Sequence, residues 1–178
     1  MNKKELRKWV AERKAACEPM QRVEWSQAVC ARVLQTAAWE QAKVVLLYHA
    51  LPDEVDTARL LEEGLSAGKQ LLLPVVVGDE LELRVYEDEQ TMKRGSYGIL
   101  EPTGRRLAEA EYDQIDLVVV PGVAFDRRGY RLGRGKGYYD RLLPKLRNAY
   151  KMGVCWPVQW VEEVPCEAFD VRMDVVIK

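Results

Sequence analysis

Short apolar runs of strand length are the feature that most narrows what this chain can become. Residues 43–48 and 70–77 are runs of that kind, and residues 116–120 supply another. An almost unbroken apolar run bounded by charged residues fits a strand buried on both faces. Residues 81–86 alternate instead, as an edge or half-exposed strand does, and Gly78 with Asp79 makes the turn that joins them to 70–77 as a hairpin. Two further strands are expected at 150–155 and 174–177. Helical spacing occupies the intervals. Residues 3–17 place Leu6, Val10 and Ala11 on one stripe, and Pro19 breaks that helix. A second helix runs through Trp25, Val29 and Leu34 to about residue 38, and a third spans 53–65 with Gly68 closing it. Strands alternating with helices are compatible with an α/β class. With 178 residues and no linker, repeat or low-complexity segment, one domain over 1–178 suffices.

The stretch 121–141, PGVAFDRRGYRLGRGKGYYDR, sets Gly129, Gly133, Gly135 and Gly137 among Arg127, Arg128, Arg131, Arg134 and Lys136. Glycine lets successive backbone N–H groups turn toward one point and form an anion-binding concavity. From Gly137 the spacing turns helical, through Tyr138, Tyr139, Leu142 and Leu146 to about residue 148. A helix starting there aims its positive end at whatever the loop holds. Asp140, in the first turn, suits a divalent cation held against phosphate oxygens. This composition reads as a cradle for polyphosphate and magnesium. It is neither of two better-known phosphate loops. A P-loop would need glycine at Tyr130 and Ser or Thr at Gly137, and a dinucleotide fingerprint would need glycine at Tyr138.

Taken whole, the stretch resembles the signature of the 5-formyltetrahydrofolate cyclo-ligase family, also called methenyltetrahydrofolate synthetase. The family pattern Pro-Gly-x-x-Phe-Asp-x-x-Gly-x-Arg-Leu-Gly-x-Gly-x-Gly-Tyr-Tyr-Asp is matched by Pro121, Gly122, Phe125, Asp126, Gly129, Arg131, Leu132, Gly133, Gly135, Gly137, Tyr138, Tyr139 and Asp140. The resemblance implies a three-layer α/β/α single domain around a mostly parallel central sheet. It implies ATP and Mg2+ as cofactors and a reduced folate as substrate, converted from the 5-formyl to the 5,10-methenyl form with release of ADP and phosphate. In that reaction the formyl oxygen is phosphorylated, which turns a poor leaving group into a good one before the N10 amine closes the ring. Lys136, Arg131 and Arg134 then take the catalytic contacts to the phosphates. Leu132, Gly133, Gly135, Gly137, Tyr138 and Tyr139 join them in binding the nucleotide, and Asp140 holds the metal.

The same resemblance reaches outside the loop. Lys3 and Arg7 lie four apart on one face of the first helix and match a Lys-x-x-x-Arg element that binds nucleotide; by spacing alone they are a solvated basic face. Residues 53–57 look like the family's Asp-Glu-hydrophobic-x-Thr element, which makes Glu54 a folate ligand; by spacing alone Asp53 is a helix N-cap and Glu54 a first-turn charge. His49 is a candidate substrate residue on position, beyond the carboxyl end of a strand. Asp174 resembles a C-terminal aspartate implicated as a second magnesium ligand, with a strand-leading surface carboxylate as the alternative and Asp170 as the other candidate. Tyr97 has a ring to offer a pterin, but an aromatic in a glycine-rich loop also serves as a packing anchor.

Composition excludes other classes. A hydrophobic fraction of 48% with 31% charged residues is that of a globular protein, and a net charge of -1 exerts no pull on nucleic acid or acidic membranes. Four cysteines without a CxxC pair, and one histidine, form neither zinc spacing nor a disulfide framework. Free thiols and a charged N-terminus without a signal-peptide core lead us to expect a cytoplasmic protein, a monomer or weak homodimer that binds no nucleic acid and no membrane. Two other readings compete. A sugar-phosphate isomerase or CoA-transferase-like enzyme would not need the basic glycine loop or the Lys3–Arg7 pair. A nucleotide-binding regulatory module would bind ATP without turnover.

Overall fold

The computed structural model of the chain describes residues 1–95 and 98–178, so Tyr97 lies outside the described residues. Three helices come first: α1 (Lys3–Ala15), α2 (Pro19–Leu34) and α3 (Ala37–Gln41). Asn2 accepts the Glu5 N–H at 2.9 Å and Glu5 accepts the Asn2 N–H at 2.8 Å, a reciprocal cap that satisfies two donors of the first turn of α1. Pro19 stands in the first turn of α2, where its missing N–H costs nothing. The second helix stops at Leu34, short of the expected residue 38. Thr36 starts a new helix there, its Oγ1 accepting the Trp39 N–H at 3.2 Å.

The rest follows as β1 (Val44–Leu46), α4 (Ala58–Ser66), β2 (Gln70–Val77), β3 (Glu80–Tyr86), the short strands β4 (Lys93–Arg94) and β5 (Leu100–Glu101), β6 (Leu117–Val120), β7 (Ala124–Phe125), β8 (Arg131–Leu132), α5 (Tyr138–Leu142), β9 (Tyr150–Val154) and β10 (Val175–Ile177). The main sheet runs β10-β9-β6-β1-β2-β3, parallel throughout except for the β2–β3 hairpin. Alternate residues of its central strands serve opposite faces. Val45, Leu71, Leu73 and Val119 pack with Val29, Val33, Leu60 and Leu61 of α2 and α4. Leu46, Leu72, Val118 and Val120 pack with Leu142, Leu143 and Leu146 at the end of α5 and beyond. This is the three-layer α/β/α arrangement around a mostly parallel sheet. No helix among the described residues is long and apolar enough to cross a membrane.

Two helices differ from expectation for local reasons. α4 begins at Ala58 instead of Asp53, because Thr57 Oγ1 donates to Tyr48 O at 2.6 Å and Asp56 Oδ1 accepts the Ala58 N–H at 3.0 Å. Asp53 is therefore no N-cap. α5 is five residues long and gives way to a 3-10 turn over Leu143–Lys145 that contains Pro144, a residue without a donor for the helical ladder.

Taken in chain order, the five parallel strands lie 2-1-3-4-5, so the winding direction reverses between β1 and β6. The crevice beyond the carboxyl ends at such a reversal is where open α/β sheets bind ligands. His49, Asp53 and Glu54 follow β1, and the glycine-rich stretch follows β6. Topology thus sets both groups of candidate residues on one crevice.

Asp126 anchors the start of that stretch. It is 0% exposed and accepts the N–H groups of Arg128 at 2.9 Å, Tyr130 at 3.1 Å and Val164 at 2.8 Å, with the Arg128 guanidinium 2.8 Å away. Burial works to raise its pKa, but the Val164, Arg128 and Tyr130 hydrogen bonds outweigh it and hold the carboxyl below the ordinary value of 3.8. The turn it shapes puts Gly129 at φ +87°, where an added Cβ would also stand 2.6 Å from Met173 O. We expect Asp126→Asn to cost about 3 kcal/mol in a urea titration at neutral pH. Because the folded-state pKa is depressed, the carboxylate's contribution is complete above the unfolded value and is lost as pH falls through the folded one. The gap between wild type and variant should therefore close below pH 3.8.

Candidate active site

A cavity of about 380 Å3 lies at the crevice. Pro121 and Gly122 after β6 line it, as does Glu54 after β1. Every residue from Arg131 to Asp140 does so too, and Lys3, Arg7 and Asp170 complete the wall. The sequence candidates of the loop and the first helix are thus brought together around one space.

The loop is held by its own charges. Arg131, with 9% of its side chain exposed, donates from Nε to Pro121 O at 2.6 Å, lies 5.0 Å from the Tyr139 ring centre, and approaches Asp140 to 3.8 Å. Burial pushes its pKa below the usual guanidinium value, countered by Tyr139, Asp140 and Glu54. Gly135 at φ +105° and Gly137 at φ +73° supply left-handed backbone that side-chain-bearing residues rarely adopt. Gly137 is the N-cap of α5, yet that helix is one and a half turns long, so its dipole adds less than a full helix would. Positive charge in the cradle comes mainly from Arg131, Arg134, Lys136, Lys3 and Arg7.

Helix α1 is docked by packing, and its cations follow from that. Leu6 and Val10 bury against Ala124, Leu132, Val161 and Val164. This turns the Lys3–Arg7 edge toward the loop, where Arg7 Nε donates to Gly133 O at 2.8 Å. Lys14 continues the same buried stripe, only 8% exposed, and its Nζ donates to Asp53 O at 2.7 Å and lies 3.4 Å from Asp53 Oδ2. Burial lowers the Lys14 pKa, opposed by Asp53. Asp53 is depressed: burial works to raise it, but its bonds to Arg134 and Lys14 win. The sequence set Asp53 at the carboxyl end of a strand but favoured a helix N-cap for it, and did not single out Lys14; a lysine standing where the Leu6–Val10 stripe asks for an apolar residue was the available signal.

Glu54 lines both this cavity and a second one of about 840 Å3. Its Oε1 accepts the Leu51 N–H at 2.9 Å and its Oε2 lies 3.5 Å from Arg134 Nη2, whose stronger contact is to Asp53 Oδ1 at 2.8 Å. Burial raises the Glu54 pKa above 4.5, with the Leu51 hydrogen bond and Arg134 only partly offsetting it. His49 lines the larger cavity, with Nε2 3.2 Å from Glu89 Oε1, and is absent from the smaller cavity's wall.

The two C-terminal aspartates part company. Asp170 lines the smaller cavity, its Oδ2 accepting the Glu167 N–H at 2.8 Å and standing 3.9 Å from Lys3 Nζ. Asp174 precedes β10 at the opposite end of the sheet, where its Oδ2 accepts the Lys151 N–H at 2.8 Å and no wall of the cavity is formed. The geometry favours Asp170 over Asp174 beside Asp140, because a parallel strand's first residue faces away from the carboxyl-end crevice. Among the described residues no cluster of three or more metal-ligating side chains occurs. Two carboxylates beside a cationic glycine-rich loop could hold magnesium, which keeps several waters and takes phosphate oxygens instead of an all-protein cage.

The profile of the 5-formyltetrahydrofolate cyclo-ligase family matches residues 1–178. The 5-formyltetrahydrofolate cyclo-ligase of Escherichia coli K12 is 30% identical over 175 residues, 94% of this chain and 95% of its own. The solved structure of Aquifex aeolicus 5,10-methenyltetrahydrofolate synthetase superposes with a TM-score of 0.86 at 38% identity, covering 99% of this chain and 89% of that one. That of the Mycoplasma pneumoniae synthetase gives 0.79 at 25% identity, covering 99% and 98%. With a match along its whole length, and a sheet and loop of the corresponding form, the chain belongs to the 5-formyltetrahydrofolate cyclo-ligase family.

Proposed function

We propose that this protein converts 5-formyltetrahydrofolate to 5,10-methenyltetrahydrofolate at the expense of ATP, with magnesium, releasing ADP and phosphate. The observation that carries the reading is one cavity walled by five cations, two carboxylates and Glu54, opening beside a larger cavity across that same glutamate. A formamide oxygen is a poor leaving group. Transfer of the terminal phosphoryl group to it makes the formyl carbon electrophilic; N10 then bonds to that carbon, loses its proton, and phosphate departs with the oxygen.

Positioning and electrostatic stabilisation are what such a transfer asks of a protein. Arg131, fixed by Pro121 O and Tyr139, presents a rigid charge, while Lys136 and Arg134 meet the phosphate oxygens that gain charge. The amides of Gly133, Gly135 and Gly137, with Leu132 and Tyr138, bind along the triphosphate, and Lys3 and Arg7 cover the nucleotide from α1. Asp140 and Asp170 would hold magnesium, which supplies charge neutralisation at the phosphates. Glu54 as a carboxylate accepts hydrogen bonds from the pterin's N–H groups and so fixes N5 and its formyl group toward the loop. His49 borders the space left for the remainder of the folate. No general base is required beyond solvent and phosphate, since the bonds made and broken belong to the substrates.

The assay is the near-ultraviolet absorbance of the methenyl product, which should appear only when 5-formyltetrahydrofolate, ATP and magnesium are all present. In it, Lys136→Ala should abolish turnover with the fold intact; a rate within about threefold of wild type, or roughly 0.7 kcal/mol in the barrier, removes Lys136 from its role. Asp140→Asn and Asp170→Asn should each raise the magnesium concentration needed for half-maximal rate, while Asp174→Asn should titrate like wild type. The ionised form of Glu54 is the binding form and its pKa is raised, so kcat/KM should fall on acidification at a pH above 4.5. Glu54→Gln should be slow at every pH and lack that acid limb.

A further inference from the structure

Arg134 is shared between two acids in this structure. Its Nη2 lies 2.8 Å from Asp53 Oδ1 and 3.5 Å from Glu54 Oε2. The first contact is the shorter, and Asp53 is itself gripped from behind by Lys14, through its carbonyl at 2.7 Å and its carboxylate at 3.4 Å. Lys14 is 8% exposed, belongs to the apolar stripe of α1, and has its Nζ 5.8 Å from the Trp156 ring centre. Only the lysine end of this pair is buried, Asp53 keeping 48% of its side chain exposed, so the desolvation of Lys14 offsets much of the Coulomb gain and the pair is no efficient source of stability. A methionine would suit the Leu6–Val10–Lys14 stripe. What the lysine supplies that methionine cannot is a fixed counter-charge for Asp53.

We propose, resting on the function above, that Lys14 and Asp53 are positioning residues: Lys14 aims Asp53, and Asp53 draws the Arg134 guanidinium off Glu54 and keeps it available to the nucleotide phosphates. Without that pull the nearest carboxylate left to Arg134 is Glu54. A guanidinium closed onto Glu54 is withdrawn from the phosphates and occupies the oxygen that the pterin needs. The relay therefore guards both substrates at once. It also ties α1, which carries Lys3 and Arg7, to the loop that carries Glu54. Arg131 and Lys14 also attract Glu54 electrostatically, but Arg131 Nε is committed to Pro121 O and Lys14 Nζ to Asp53. A third cavity, about 390 Å3, is lined by Lys14, Asp53, Arg134 and Arg7 and gives the relay room to move.

The test is a double-mutant cycle on Mg–ATP affinity, measured by calorimetry, and on methenyl formation. Lys14→Met and Arg134→Gln should each weaken ATP binding about tenfold or more, the scale of one charge-assisted contact. The double variant should be no worse than Arg134→Gln alone, since Lys14 acts only through Arg134. Lys14→Arg should restore most of the loss, and Asp53→Asn should reproduce Lys14→Met. Binding by the folded variant separates this from a structural role: Lys14→Met should bind ATP worse at temperatures well below its own melting point, where circular dichroism shows it fully folded. Losses that multiply in the double variant, or a Lys14→Met protein that binds ATP within threefold of wild type, overturn the relay. A wild type that binds ATP and never forms methenyl product overturns the proposed reaction and leaves the relay to be judged on the binding cycle. A wild type that binds no ATP overturns both.

Discussion

The reversal of strand order between β1 and β6 is the constraint on which the rest depends. Two parallel neighbours whose following segments wind to opposite faces leave a gap at their carboxyl ends that no helix covers. Here the two segments are a short loop bearing Asp53 and Glu54 and a long one bearing the glycines and cations. Neither makes a site alone. The first carries carboxylates and the second carries positive charge, and the sheet brings them together, with Arg134 Nη2 2.8 Å from Asp53 Oδ1 and 3.5 Å from Glu54 Oε2. The strands that enforce this are the most deeply buried of the chain, with Val45, Leu46, Leu72 and all four residues of β6 at or near zero exposure.

Charge in this site is organised by burial more than by number. Arg131 and Glu54 are nearly sealed, Asp126 fully so, and each has its hydrogen bonds supplied by backbone carbonyls, amides or an opposite charge. Groups held that way do not reorganise when a ligand arrives, which is the condition for electrostatic stabilisation to act at low cost. Lys136 and Asp140 are different. Both line the cavity with exposed side chains, and Asp140 stands 3.8 Å from the Arg131 guanidinium.

Much of the architecture was readable because strand signals are local. The runs at 70–77, 81–86 and 116–120 became β2, β3 and β6 within a residue, and the Gly78–Asp79 hairpin formed as its turn residues require. Helix boundaries were less readable where a side chain outbid the pattern: Thr57 bonded to Tyr48 O and delayed α4, Thr36 cut α2 from α3, and Pro144 ended α5. In the site, the loop residues and the Lys3–Arg7 pair could be found from spacing and resemblance because they are contiguous or one turn apart. The pairing of Lys14 with Asp53 could not. Their partnership joins positions 39 apart and shows only once α1 is docked. The choice between Asp170 and Asp174 was left open by the sequence, which placed Asp174 at the head of the last strand but not the direction of that strand relative to the crevice.

The wall of the smaller cavity draws on residue 3, residue 54, the stretch 121–140 and residue 170. Its parts are therefore separated by nearly the whole chain, and loop-closure entropy must be met at each join before any contact repays it. A partly folded chain can hold a formed sheet without this wall, so any ligand that binds within the cavity stabilises the closure of the two chain ends over it.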